Sequence, residues 1–325
     1  MTAKIIHISE GEEAALQAAQ AVLLQGHPVA IPTETVYGLA ADATNPLAVT
    51  RIYETKGRPR FNPLICHMAN LAMAETYADF DPVSRRLAER FWPGPLTLIL
   101  PLKPGSGIHA LATAGLDTVG IRVPQGIAAT LIGAFGKPLA APSANTSGKI
   151  SPTSALHVAE DLGSKLALIL DAGAAPVGVE STIVRAAKDR IHLLRPGGIS
   201  AEELQAATGL PVVRAQSPSP TIEAPGMLAS HYAPAAPVRL NADSVKAGEA
   251  LICFGETKVT GMEQAVLVLN LSPTADLREA AANLFDYLKK ADAVAIKGIA
   301  VTSISVEGLG EAINDRLVRA AAPRE

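Results

Sequence analysis

A chain of 325 residues exceeds one modest hydrophobic core and points to two domains. Hydrophobic residues make up 48% and charged ones 18%, which excludes a disordered chain; 28 basic against 31 acidic residues, a net charge of -3, argue against a protein built mainly to grip nucleic acid along its length. The opening MTAKIIHISEGEEAAL lacks the apolar run of a signal peptide, and no apolar stretch approaches the roughly 18 residues of a membrane span, so a cytoplasmic protein is expected.

The first 210 residues alternate short apolar runs with amphipathic ones. In chain order they predict strand 4–8, helix 12–25, strand 29–32, helix 46–55 and strand 63–68. Helix 82–91, strands 96–102 and 118–123, helix 126–135 and strand 139–142 follow. Helix 153–162, strands 166–170, 181–184 and 191–194, and helix 201–207 complete the series. Several strands succeed one another without an intervening helix, which favours a mixed α/β sheet over a purely parallel one. Residues 211–237 are punctuated by Pro211, Pro218, Pro220, Pro225, Pro234 and Pro237 and show no apolar period, as a connector would. Beyond them, strands at 250–254, 265–269 and 294–296 with helices at 275–290 and 310–320 predict a small Rossmann-like domain over 238–325. Cys66 and Cys253 stand far apart and read as reduced, partly buried thiols.

Neither a P-loop nor a G-x-G-x-x-G fingerprint is present, and Gly105-Ser106-Gly107 reads as an ordinary loop. Three other stretches interrupt apolar runs with groups suited to chemistry. In Lys56-Gly57-Arg58-Pro59-Arg60 the glycine and proline predict a turn that presents closely spaced cations, whose mutual repulsion an anionic ligand would relieve. A solvated basic loop is the plain alternative. Ser143-Ala144-Asn145-Thr146-Ser147-Gly148 follows an apolar strand, where α/β folds bind ligands, and Ser143 and Asn145 share a face if that strand continues. An Asx-turn or helix cap explains the segment equally. Thr33-Glu34-Thr35-Val36-Tyr37-Gly38 leaves another strand with hydroxyls suited to a small polar substrate. Single residues add to these. Arg122, inside an apolar strand, needs an anionic partner, either a structural carboxylate or a ligand's. Ser181 and Arg195 stand beside strand ends, and His67 reads as a core histidine.

Together the segments PTETVYGL, Lys56/Arg58, VGIRVP, Ser143/Asn145, VESTI and LRPG resemble the threonylcarbamoyl-AMP synthase family in its two-domain form, over residues 14–198 and with a similar connector and C-terminal domain. The resemblance implies a YrdC-like domain over 1–210, a mixed twisted sheet with flanking helices. It also implies a nucleotidyltransferase that converts L-threonine, bicarbonate and ATP into threonylcarbamoyl-AMP and pyrophosphate. That reaction begins N6-threonylcarbamoyl modification of adenosine 37 in tRNAs reading ANN codons, and a separate transferase complex completes it. Lys56 and Arg58 would be catalytic. Asn62, Thr118, Asn145, Ser151, Arg195, His231 and Tyr232 would join them on the ATP side, with Mg²⁺ carried by ATP rather than by the protein. Thr35, His67, Arg122, Ser143 and Ser181 would hold threonine, Arg122 on its carboxylate. His231 and Tyr232 in the connector would close over the nucleotide, with Gly226 as hinge. Two rivals remain: an enzyme adenylating carbamoyl phosphate, whose extra domains are not visible, and an RNA-binding module, against which the net charge counts.

Overall fold

The computed structural model describes residues 2–214, 224–225 and 231–323. The proposed hinge Gly226 and the connector prolines Pro218 and Pro220 lie outside the described residues. Helix boundaries follow from local chemistry. α1 (Glu12–Leu24) precedes α2 (Pro46–Lys56), which starts where the Asn45 side chain accepts from the backbone of Leu47 and Ala48 with Pro46 in the first turn. It ends at Gly57, which turns the chain through the left-handed region at φ 60. α3 (Leu71–Tyr77) and α4 (Pro82–Phe91) are capped by Asn70 and Asp81, and α5 (Ala110–Thr113) by His109. α6 (Ile127–Phe135) and α7 (Ala155–Leu162) precede α8 (Ala201–Thr208), which opens with a reciprocal capping box between Ser200 and Glu203.

The strands β1 (Lys4–His7), β2 (Val29–Ile31), β3 (Gly38–Asp42), β4 (Ile65–His67) and β5 (Leu96–Pro101) are followed by β6 (Thr118–Arg122) and β7 (Leu139–Ala140). β8 (Leu168–Asp171), β9 (Thr182–Ala186), β10 (Ile191–Arg195) and β11 (Val212–Arg214) complete an 11-stranded sheet ordered β1-β8-β2-β3-β7-β4-β6-β5-β9-β10-β11. Pairing is mixed, as expected: β4 and β6 run parallel, whereas β5 opposes β6 and β9 opposes β10. Helices cover both faces. Ala15, Leu23, Leu131 and Ile132 form the core under α1 and α6, and Ile52, Leu87 and Val158 belong to the core on the other face. The second unit is a four-stranded parallel sheet of β12 (Val238–Arg239), β13 (Glu249–Cys253), β14 (Leu267–Asn270) and β15 (Gly298–Val301), ordered β12-β15-β13-β14. α9 (Leu277–Val294) and α10 (Leu309–Ala321) pack beside it.

Several expectations need correction. β3 was not expected, because its Gly-Leu-Ala-Ala-Asp sequence is buried on both faces and carries neither alternation nor β-branched residues. The strand expected at 294–296 begins only at Gly298, since the buried stripe Ala280, Leu284, Leu288 and Ala291 carries α9 on to Val294. Lys56 is not presented from a turn but closes α2. The strand before Ser143 ends at Ala140, so Ser143 and Asn145 do not alternate on a strand face; Ser143 keeps only an isolated bridge to Gly38.

The two units share a core. Val36, Ile150 and Val179 from the large sheet's unit, together with Tyr232, belong to the same buried cluster as Leu284, Phe285, Ile313 and Leu317. Backbones approach closely there: a Cβ on Gly178, whose φ is 75, would lie 2.2 Å from the Ala281 carbonyl oxygen in α9.

Candidate active site

Loop ends and strand ends converge on a small cavity of about 50 Å³. From the three sequence segments, Thr35, Arg58 and Ser143 line it. His67 and Arg122 reach it from the parallel ends of β4 and β6, where they sit opposite one another in register. Ser181 and Arg195 come from the start of β9 and the end of β10, and His231 and Tyr232 cover it from the connector. Lys56 stands immediately behind, its Nζ donating to the carbonyls of Ser143 and Asn145, both at 2.5 Å. Arg58 donates to the carbonyls of Asn62 at 3.3 Å and Pro63 at 2.9 Å. Ser151 joins through its 2.6 Å hydrogen bond to Glu180, which lines the cavity. Thr118 is not on the cavity wall: it begins β6 and pairs with Pro101 of β5. Arg60, the third cation of its segment, is exposed and stays apart.

The electrostatics are lopsided. Lys56, Arg58 and Arg195 are all buried, yet among the described residues they bond only to carbonyls and hydroxyls, never to a carboxylate. Burial, and then the neighbouring Arg58, push the Lys56 ammonium well below its usual pKa. Burial lowers Arg58 to about 10, with Arg195 adding to it. The carboxylate on the cavity wall, Glu180, is already paired with Arg316, so positive charge remains in excess around the cluster. Burial, then positive neighbours, hold His67 and His231 at about 3, so both rings are neutral near pH 7 and cannot act as strong bases. Among the described residues, four buried atoms, Asn62 Oδ1, Asn145 Oδ1, His67 Nδ1 and His231 Nδ1, have no hydrogen-bond partner, as groups awaiting a ligand would.

Of the two partners that its sequence left open, Arg122 has the structural carboxylate. Its Nη2 lies 2.7 Å from Glu34 Oε1, a buried ion pair, while Nη1 donates to Thr35 Oγ1 at 2.8 Å and Nε to the Gly94 carbonyl. The ion pair lies outside good hydrogen-bond geometry, leaving Glu34 Oε1 and Arg122 Nη2 without a true hydrogen bond. Two functional carboxylates were missed. Glu34 sits in a segment read for its threonines, and Glu180 precedes the serine that drew attention. Glu180 accepts from Ser151 and from Arg316 of α10 at 2.9 Å. Burial works to raise its pKa, but Arg316, Arg195 and these hydrogen bonds bring it down to about 2. Arg316 was also missed, although it falls on the apolar stripe Ala312, Ile313, Leu317, Ala320 of its helix, where a charge is a signal.

No group of three or more His, Cys, Asp or Glu able to hold a metal occurs among the described residues, and both site carboxylates face an arginine. The donor set therefore does not fit a protein-held magnesium cage.

A mixed sheet with a buried cation cluster and small polar groups at its strand ends defines an α/β fold of the YrdC-like class. The chain belongs to the threonylcarbamoyl-AMP synthase family. A family model described as telomere recombination matches residues 21–197, and one described as threonylcarbamoyl-AMP synthase, C-terminal domain, matches 199–322. The threonylcarbamoyl-AMP synthase of Bacillus subtilis (strain 168) is 42% identical over 324 residues, covering 94% of this chain and 92% of that one. That of Pyrococcus abyssi (strain GE5 / Orsay) is also 42% identical, over 338 residues and 98% of each chain. The crystal structure of P. abyssi Sua5 complexed with L-threonine superposes with a TM-score of 0.87 at 38% identity, covering 98% of this chain and 97% of that chain. E. coli YciO, at 22% identity and a TM-score of 0.53 over 60% of this chain and 96% of its own, shares the fold.

Proposed function

We propose that this chain is an L-threonylcarbamoyladenylate synthase acting in the cytoplasm at the first step of tRNA threonylcarbamoylation. The threonine amine and bicarbonate give a carbamate and water. A carbamate oxygen then attacks the α-phosphorus of ATP, and pyrophosphate leaves with the bonding pair. The buried cluster of Lys56, Arg58 and Arg195, none of which bonds directly to a carboxylate among the described residues, carries this reading. One anion must approach another, and charge then builds on the departing pyrophosphate. Fixed cations in a water-poor site counter both, and they need little reorganisation as the bond breaks.

Lys56 and Arg58 take the catalytic positions, with Arg195 beside them. Asn62, Thr118, Asn145, Ser151, His231 and Tyr232 form the nucleotide side. Thr35, His67, Arg122, Ser143 and Ser181 form the threonine side. The Arg122 guanidinium meets the threonine carboxylate while Glu34 and Thr35 keep it oriented; the Glu34 pair at 2.7 Å supports that role. No general base is required of the neutral His67, since the carbamate is already anionic. Magnesium enters as part of the nucleotide substrate, since Glu34 and Glu180 are each already engaged by an arginine.

The cavity of about 50 Å³ is far below the roughly 300–1,000 Å³ typical of small-molecule sites, so the described arrangement must open to admit ATP. His231 and Tyr232 are its connector-borne cover. The decisive measurement is pyrophosphate release with threonine, bicarbonate and ATP each omitted in turn. Release should need all three, and equal release without threonine, or with carbamoyl phosphate in place of threonine and bicarbonate, would sink the reading. Transfer to tRNA belongs to a separate complex, with no direct grip on tRNA required of this chain.

A further inference from the structure

The C-terminal unit inserts one charged side chain into the junction beside the cavity. Arg316 is fully buried, although it projects from α10 in a different unit from the large sheet. Its Nε donates to Glu180 Oε2 at 2.9 Å, and its Nη1 to the Pro196 carbonyl at 2.9 Å and to Asp315 Oδ2 at 2.6 Å. These contacts tie together two loop ends that carry the residues next in sequence, Ser181 and Arg195. Ser181 and Arg195 are themselves joined, the Arg195 Nη2 donating to the Ser181 carbonyl at 2.8 Å. Nη2 of Arg316 has no acceptor among the described residues, and its guanidinium carbon lies 5.3 Å from the centre of the Tyr232 ring. Phe285 of α9 stacks on the same ring at 5.5 Å.

Tyr232 has φ 63, a left-handed conformation that a bulky non-glycine residue keeps only when its surroundings hold it. Here the surroundings are two side chains of the C-terminal unit, Arg316 and Phe285, with the neighbouring His231 ring edge-on at 4.1 Å.

We propose that Arg316 is a positioning residue for the adenylation site, through which the C-terminal unit clamps Tyr232 and the Glu180 and Pro196 loop ends in the form that covers the nucleotide. The inference rests on the synthase reading for its link to ATP, but the clamp itself does not. Arg316 touches neither substrate nor reacting atoms; it acts through Tyr232 and Glu180. A planar guanidinium can lie along a ring while reaching two acceptors, whereas a lysine ammonium is a single point of charge.

Arg316→Lys in the full chain tests this with two readouts. Hydrogen exchange of amides 231–233 without substrates should quicken by about tenfold, while exchange in the strands at the far edge of the large sheet stays unchanged. In steady-state pyrophosphate release the KM for ATP should rise by about tenfold with kcat within roughly threefold of the parent. A merely structural ion pair, which lysine preserves, would move neither. Should Arg316→Lys fail to fold, Phe285→Leu removes the other face of the Tyr232 stack without altering charge, and the same readouts apply. If either readout stays at the parent value in the folded variants, the clamp is overturned. A parent chain whose pyrophosphate release does not require all three substrates overturns the synthase reading instead, and the exchange difference alone then carries or sinks the clamp.

Discussion

Lys56 ends α2 where burial and the adjacent Arg58 both disfavour its charged form. Binding the ATP phosphates reverses that balance, since a nearby anion favours the ammonium. Nucleotide binding should therefore take up protons, and the uptake should grow as pH rises toward the usual lysine range, because more of the free protein then carries neutral Lys56. Calorimetric titrations in buffers of different ionisation enthalpy measure this directly. Lys56→Met should abolish the uptake, and identical proton counts in parent and variant would mean that Lys56 is charged throughout. Much at this scale was legible in sequence, because cations beside glycine and proline, or a lone arginine in an apolar strand, conflict with packing. Glu34 and Glu180 were not, since an acidic residue flanked by hydroxyl residues looks like ordinary loop polarity until its arginine partner is brought across the fold. For Glu180 that partner is Arg316, distant in the chain and in the other unit.

At the scale of elements, the loop from β8 to β9 matters more than its sequence shows. It carries Gly178, Val179, Glu180 and Ser181 past the backbone of α9, and Gly178 lies directly against Ala281 and Ala282 there. Only glycine fits, because φ is 75 and an added Cβ would also meet the Ala282 Cα at 2.4 Å. Gly178→Ala should destabilise the protein by about 1–3 kcal/mol through overpacking, with added strain from the left-handed backbone. Because the loop leads into the cavity, the variant should also weaken ATP binding at temperatures where it stays folded. Denaturant melts together with nucleotide titration test both, and a parent-like melt would show that α9 yields freely. Helices were legible where caps and apolar stripes agree, as with Asn45 and Pro46 at the start of α2. Strands were missed where burial on both faces erased the alternation, as in β3. The α9–β15 boundary failed because the short apolar run 293–296 at the end of α9 looks like a strand, while the true strand starts only after Lys297, at Gly298.

At the scale of the whole molecule, the two units are one packing body around the site, sharing the cluster that contains Val179, Tyr232, Phe285 and Leu317. Acid should reveal this coupling. His67 and His231 are held neutral with pKa values near 3 against an ordinary 6.5, so the unfolded chain binds more protons between those values and stability must fall as pH drops through that range. A shift of that size corresponds to on the order of 5 kcal/mol per histidine once the range has been crossed. Glu180, lowered from 4.5 to about 2, adds a second loss: its contribution is complete above pH 4.5 and disappears as pH falls toward 2, on the order of 3 kcal/mol. Denaturant melts at pH 7, 5.5 and 4.5 should show stability declining at each step in the parent, and a much shallower decline when His67 and His231 are both replaced by glutamine. The deficit of Glu180→Gln relative to the parent should hold above pH 4.5 and shrink below it, because protonation removes from the parent the same charge that the substitution removes. Stability that stayed level from pH 7 to 4.5 would mean that the histidines take up protons within the folded protein. The junction between the two units would then open far more readily than its buried contacts imply.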